Sequence, residues 1–396
     1  MSSSGSVELS AEVRRAVPVL TVARLTGNIA FRFVYPFLPA ISRGLGISLG
    51  AAGWALALRD LTGLAAPRFG RLIDHGRQRP AMVISVAVMA VASLLAGVSA
   101  GVVLFTAAMV LLGFAKVAYD TAMTAWLGDS VPYVRRGRIT GITELSWAGS
   151  FLLGVPVMGF LIEWLGWRSP FVALFALNLT MAVAVAASLS PDPVTAARTR
   201  RRWRPPPGSV PVFVTVGLIN LSIQLLFVVY GAWMEDAFGL SVATIGAVSI
   251  LVGASELAGS GSTVALTDRL GKQRSILLGT LVMIPPLALL GTVGGSTVLG
   301  VALVGVAVAG YEFAQVSSFP LVSELDPSAR GSAIGVAVAS FTVARAVGTP
   351  LGIWLFTELG IGPTGLVAAA IAVASAVLLV GFVREPGHAA ARRAAR

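Results

Sequence analysis

Apolar residues run along this chain in twelve long stretches, set apart by short polar interruptions, at approximately 17–39, 48–70, 80–101, 103–128, 139–162, 169–190, 210–234, 242–266, 275–294, 297–322, 331–357 and 361–383. Each is long enough for the roughly 20 apolar residues that carry a helix across a bilayer. Strands of a membrane barrel would instead be short and alternate in polarity. The pattern therefore predicts an all-α membrane protein of twelve transmembrane helices. The polar stretches divide it into a Ser-rich tail at 1–16, a six-helix bundle at 17–190, a linker at 191–209, a second six-helix bundle at 210–383 and a basic tail at 384–396. The linker, PDPVTAARTRRRWRPPPGS, combines proline with clustered charge and cannot span. No stretch offers room for a separate soluble catalytic module.

The polar turns also repeat. Gly70 to Arg79 reads GRLIDHGRQR, and Val264 to Arg274 reads VALTDRLGKQR. Asp268 follows Asp74 by 194 residues, about half the chain, and the same offset aligns Arg136 to Pro156 with Arg330 to Pro350. Identical pairs there are Arg136/Arg330, Gly137/Gly331, Gly141/Gly335, Ser146/Ser340, Gly154/Gly348 and Pro156/Pro350. Two related halves make the bundles pseudo-symmetric, the sequence sign of a duplicated transporter.

Composition agrees with this class: 56% hydrophobic residues, 12% charged and a mean hydropathy of +0.85. Most of the 29 basic residues fall in the tails and in alternate loops, whereas the intervening loops hold only Arg43 and Arg168. The positive-inside rule then predicts both termini in the cytoplasm, and the formal charge of +11 reflects topology rather than nucleic-acid binding. With no cysteine, disulfides and thiolate metal sites are excluded. The first run contains Arg24 and Arg32 and lacks a small-residue cleavage site, so it is expected to be a retained helix. Arginine-rich, lysine-poor usage suggests a bacterial inner-membrane protein.

The paired halves, with a charged turn after the second run and its echo after the eighth, resemble the major facilitator superfamily, whose signature there is G-x-L-a-D-R-x-G-R-K. Gly70, Leu72, Asp74, Gly76, Arg77 and Arg79 take its positions, with one residue, His75, where the family has two between Asp and Gly. The second copy keeps Asp268, Arg269, Gly271 and Lys272, with Val264 in place of the first glycine. The resemblance implies a cytoplasmic latch between bundles. Arg77 can bridge Asp74 and Asp129, the reading that the motif's second copy favours; the alternative is that these charges merely cap helix ends and set topology. Gly154-Val155-Pro156-x-x-Gly159 in the fifth run looks like a degraded antiporter motif, or else simple close packing of small residues. Tyr35-Pro-Phe-Leu-Pro39 resembles the first-helix ending of drug-exporter-like members. In the fourth run the family's arginine aligns with Met109, so that element is absent, while Gly113 keeps its place.

Ten ionisable residues lie inside the runs: Arg24, Arg32, Arg59, Asp60, Lys116, Asp120, Glu144, Glu256, Glu312 and Arg345. Charges at membrane depth are expensive and call for an interior site. The third, sixth, ninth and twelfth runs have none, as the resemblance implies for peripheral helices. Arg24, Asn28, Arg32 and Tyr35 share one helical face, Lys116, Tyr119, Asp120 and Thr124 another, and both are expected to face water or substrate. Asn220 and Gln224, and Tyr311, Glu312 and Gln315, form stripes in the second half. Asp60, Asp120, Glu256 and Glu312 are the candidate proton carriers, the last two with mainly Arg345 as counter-charge, and Glu144 is assigned to gating or structure. The alternative is that all ten form fixed ion pairs that specify packing.

These features predict a secondary transporter with a central site, which uses the proton gradient, needs no cofactor or metal, and works as a monomer on a small-molecule substrate within the lipid bilayer. No nucleotide-binding G-x-x-x-x-G-K-[ST] loop is present. Proton-coupled antiport export of a drug or metabolite is the leading expectation. Uptake of an organic anion, suggested by Arg24, Arg32, Arg59 and Lys116, is the alternative. A receptor or lipid scramblase is the alternative of another class.

Overall fold

The computed structural model describes residues 9–73, 77–190, 204–326 and 329–383, with the side chains of Arg71, Leu72 and Tyr133 excepted. The helices fall on all twelve apolar runs: Ala11–Arg32, Leu49–Gly70, Gln78–Gly97, Val102–Ser130, Val134–Leu165, Ser169–Ser188, Val210–Phe238, Val242–Leu270, Lys272–Thr292, Thr297–Glu324, Arg330–Leu359 and Ile361–Phe382. Ten of them are long and apolar enough to cross a membrane by length and composition alone. An eleventh qualifies if Leu49–Gly70 is joined to the short helix Leu38–Leu45, from which it turns by 112°. The expected twelve is thus met in position, while the first helix falls outside that test because Glu12, Arg14, Arg15, Arg24 and Arg32 lower its hydropathy.

Both boundaries of the first helix differ from the pattern. The first helix starts at Ala11, inside the expected tail, because Ser10 caps it by accepting from the Val13 N–H at 3.2 Å. It ends at Arg32 rather than 39, since Pro36 denies the next turn a donor and pushes Tyr35 away from helical geometry. Tyr35 therefore leaves the register that placed it above Arg24. The linker's 191–203, the tail 384–396 and the charged-turn residues Asp74 and Gly76 lie outside the described residues.

Within each half the third and sixth, or ninth and twelfth, helices pack on their own bundle, while the fifth meets the eighth and the second meets the eleventh across the divide. Val183, Val377 and Val380 stay 60–66% exposed on the outer surface, tolerable only where lipid replaces water. The halves are also tied in the same way. Arg79 donates to Ala186 O at 2.8 Å, and Gln273, its equivalent at the repeat offset, donates to Leu379 O and Val383 O at 3.1 Å. Gln78 donates to Asp129 Oδ2 at 2.6 Å, and its equivalent Lys272 pairs with Glu324. Asp129 is thus held by Gln78 and not by the expected Arg77, because Gln78 opens the third helix beside the end of the fourth.

The bundles touch along the halves nearest the turns at 46–48, 166–168 and 239–241, here called the loop face. Arg43 pairs with Glu235 at 2.8 Å, and Glu163 accepts from the Ala243 N–H at 2.9 Å, satisfying a donor in the first turn of the eighth helix. A Cβ on Gly159 would meet Val242 O at 3.0 Å, and one on Gly231 would collide with Pro36 O. On the opposite face, here called the terminal face, Gly137, Gly141, Gly261, Gly331 and Gly335 have open space around them, with nothing within 4 Å of a built Cβ. Glycine's role differs again inside the second bundle, where a Cβ on Gly310 would lie 2.8 Å from Gly279 O. Gly310→Val is expected to destabilise by about 1–3 kcal/mol through overpacking, whereas Gly261→Val leaves the unfolding transition of the purified protein in place. Equal thermal midpoints for the two variants would contradict this packing.

Candidate functional site

The first helix carries its two charges to different places. Arg24 lies nearer the terminal face, where its Nε donates to Asp120 Oδ1 at 3.3 Å and its Nη1 to Glu144 Oε1 at 2.7 Å. Lys116, one turn before Asp120 on the fourth helix, binds the other carboxylate oxygen. Arg24, Asp120 and Glu144 border a hollow inside the first bundle, lined also by Thr124, Arg136 and Thr143. Arg136 donates to Gly128 O at 2.5 Å and Val131 O at 3.2 Å, capping the fourth helix's open carbonyls. Asp120, a candidate proton carrier, is therefore engaged by two cations, and Glu144 sits at the mouth with a 57% exposed side chain.

Arg32 points the other way, into the divide between bundles. Its guanidinium binds both carboxylate oxygens of Glu256 on the eighth helix, with Nη1 to Oε2 at 3.1 Å. Nη1 also donates to Trp147 O at 2.7 Å and Ser150 Oγ at 3.1 Å. The Trp147 and Phe151 rings flank it at 4.1 and 4.0 Å. The fifth helix supplies this socket through a π-helical turn at Ser150–Gly154, just before Pro156, whose missing N–H and bulky ring disturb regular helical bonding there. The side chains of Arg32 and Glu256 are 5% and 1% exposed, so this pair is nearly dry.

Around it lies a hollow between the bundles, bordered by Phe31, Arg32, Tyr35, Trp147, Phe151, Asn220, Gln224, Phe227, Glu256, Tyr311, Glu312 and Arg345. Asn220 donates to Gln315 Oε1 at 2.8 Å and accepts from the Tyr311 hydroxyl at 3.0 Å, so the stripes of the seventh and tenth helices meet. Gln224 donates to Thr349 Oγ1 at 2.9 Å. Glu312 is 6% exposed and, among the described residues, accepts a 3.4 Å hydrogen bond from Ser260 Oγ. It sits against the eighth helix because Gly259 has no side chain: a Cβ there would lie 2.8 Å from that of Glu312. Arg345, the expected counter-charge of both glutamates, pairs with neither. Glu256 is taken by Arg32 from the other half, and Arg345 faces Phe31 at 5.9 Å.

Other expected site residues lie elsewhere. Arg59 is fully buried and binds Asp60, Tyr35 Oη at 2.6 Å and Phe31 O at 2.6 Å, and Asp60 accepts from Tyr35 Oη at 2.9 Å. Gly113 admits this cluster, since a Cβ there would meet Arg59 O at 2.8 Å. Neither Arg59 nor Asp60 borders either of these two hollows, and each has its partners in its own bundle. Tyr119 is likewise buried, donating to Leu20 O at 2.7 Å to hold the fourth helix on the first, and Asn28 donates to Ser146 Oγ at 3.1 Å. Gly154 and Gly159 are packing positions, against Ile29 and Gly246. Asp268, Arg269 and Gly271 close the eighth helix, with Gly271 following it at φ 86°. The aromatic walls Phe31, Trp147, Phe151 and Phe227 went unread in the sequence, although Trp147 and Phe151 stand four apart as a helical face requires.

The family model described as Major Facilitator Superfamily matches residues 20–212 and again 212–396. Among relatives, the uncharacterized MFS-type transporter YwfA of Bacillus subtilis is 22% identical, covering 89% of this chain and 88% of its own. A chloramphenicol resistance protein of Streptomyces lividans is 27% identical over 64% of this chain and 67% of its own, and a multi-drug resistance efflux pump PmrA homolog of Lactococcus lactis is 31% identical over 37% and 38%. A solved D-xylose-proton symporter, 18% identical, superposes with a TM-score of 0.75 over 95% of this chain and 99% of its own.

The geometry of the central pair yields a double-variant test. Removing one partner strands a dry charge, so Arg32→Met is expected to cost about 3–5 kcal/mol of stability, and Arg32→Met combined with Glu256→Leu clearly less. Unfolding of detergent-purified protein measures both. A double variant as unstable as the sum of the singles would show that the two side chains do not act as a unit.

Proposed function

The chain belongs to the major facilitator superfamily, and from that premise we propose that it exports a small organic molecule in exchange for protons by alternating access. It is a multi-pass membrane protein and a secondary transporter, not an enzyme. The observation that carries the finer reading is the hollow between the bundles. It is closed on the loop face, bridged by one dry ion pair, and holds in Glu312 a carboxylate with no cation bound to it among the described residues.

The mechanism follows from those groups. If the basic loops lie in the cytoplasm, the open terminal face admits substrate from inside. Glu312 takes or releases the proton, since its one hydrogen bond comes from a hydroxyl that can serve either protonation state. The Arg32–Glu256 pair spans the divide, so a change of charge at neighbouring Glu312 acts directly on the contact that holds the bundles together. Breaking that contact and the Arg43–Glu235 and Glu163–Ala243 ties would open the loop face. Export, rather than import, is supported by the resistance named in the chloramphenicol and multi-drug relatives. The cations that suggested anion uptake (Arg24, Arg32, Arg59 and Lys116) each already hold a carboxylate of this chain. A bacterial inner membrane and a monomeric working unit complete the reading.

A strain expressing the protein is expected to grow at higher chloramphenicol, or at higher concentration of another compound in an antimicrobial panel, than its empty-vector control. Inverted vesicles from that strain, acidified inside, should release protons when the same compound is added. The Glu312→Gln variant is expected to lose that proton release. Proton movement equal to wild type in this variant would remove Glu312 from the coupling role, and substrate-driven proton movement of opposite sense would replace export with uptake.

A further inference from the structure

We infer that the molecule taken by the central hollow is an aromatic organic anion, its carboxylate seated on Arg345 and its ring among Phe31, Phe227 and Tyr311. The inference rests on the reading of that hollow as the transport site. It starts from an inventory of charge. Of the five cations inside the helices, Arg24, Arg32, Arg59 and Lys116 are each bound to at least one carboxylate. Arg345 alone has no ion pair and no hydrogen bond among the described residues, and its Nε is buried without a partner. Its guanidinium carbon lies 5.9 Å from the Phe31 ring, at the outer limit of a cation–π contact, and the same ring already carries Arg59 at 3.7 Å. A guanidinium cannot shed its proton, so at membrane depth it must be neutralised or hydrated.

The chain's own free carboxylate does not serve. Glu312 lies against the eighth helix beside Ser260 and Glu256, whereas Arg345, on the eleventh, faces Phe31 of the first. A neutralising partner then comes from outside, and the walls define its other half. Phe227 stacks edge-on to Tyr311 at 6.4 Å and tilts toward Phe151 at 6.1 Å, giving an apolar flank beside the cation. An inorganic anion would leave that flank unused. A ring-bearing carboxylate satisfies both, because a planar carboxylate matches the fork of an arginine and a ring matches aromatic walls. The amides of Asn220 and Gln224 border the same space and offer polar contacts to ring substituents.

Three probes with one ring and different charge test this: phenylacetate, phenethylamine and phenylacetamide, titrated calorimetrically into the full chain in lipid nanodiscs. Phenylacetate is expected to bind about tenfold or more tightly than the other two, as a charge-assisted contact supplies. Arg345→Gln should erase that preference, Arg345→Lys keep part of it, and Gly261→Val, outside the hollow, leave it intact, with thermal unfolding confirming that each variant is folded. Tighter binding of phenethylamine, an anion preference that survives Arg345→Gln, or no binding by any probe would overturn the inference. The vesicle assay separates it from the reading beneath. Coupled proton movement without anion preference sinks only the anion, and anion preference without coupled proton movement sinks only the transport cycle.

Discussion

Lipid offers no compensation for charge, and that single constraint organises the molecule. Its strongest expression is Arg32 with Glu256, a dry pair whose members come from different halves of the chain. The two partners are not equally dependent on each other. Arg32 keeps Trp147 O, Ser150 Oγ and two aromatic faces from its own bundle, so it stays solvated by protein when the bundles part. Glu256 has no such reserve among its described contacts. The pair therefore ties conformation to whatever next compensates Glu256: water, a proton or a bound molecule.

Much of the fold was legible because a helix crossing lipid must satisfy its backbone internally and stay apolar over a fixed length. The run count and the absence of charge beyond the first turn of the four peripheral helices follow from that, and the split into halves was legible in the repeat. Partner choice did not, since it depends on how rigid bundles dock. Glu256 lies 224 residues from Arg32, and nothing local marks them as a pair. Arg59 and Asp60, by contrast, are sequence neighbours that would ordinarily diverge on a helix, yet a long guanidinium and the hydroxyl of Tyr35 close them into one cluster. Tyr35 could join only because Pro36 ends the first helix early. The stripe arithmetic assumed a helix that continues, and so misplaced it.

The duplicated ties at the terminal face show how geometry can persist while chemistry drifts. Gln78 and Arg79 of the first half correspond to Lys272 and Gln273 of the second, with the charged and neutral members exchanged. Both sets still bind the end of a neighbouring helix, one through a carboxylate and one through backbone carbonyls. Each bundle is thereby secured internally, which leaves relative motion to the surface between them. That surface is built from glycine contacts on the loop side, where little side-chain repacking is needed for a rotation.

Gly137 and Gly141, with their copies Gly331 and Gly335, are among the identities between the halves, yet here they look onto empty space. Close packing in this arrangement cannot account for the same smallest residue in both copies. What those positions do provide is room: under the proposed cycle, four sites without side chains would let the mouth helices approach backbone to backbone, so the duplicated glycines would matter to closure rather than to the packing seen here.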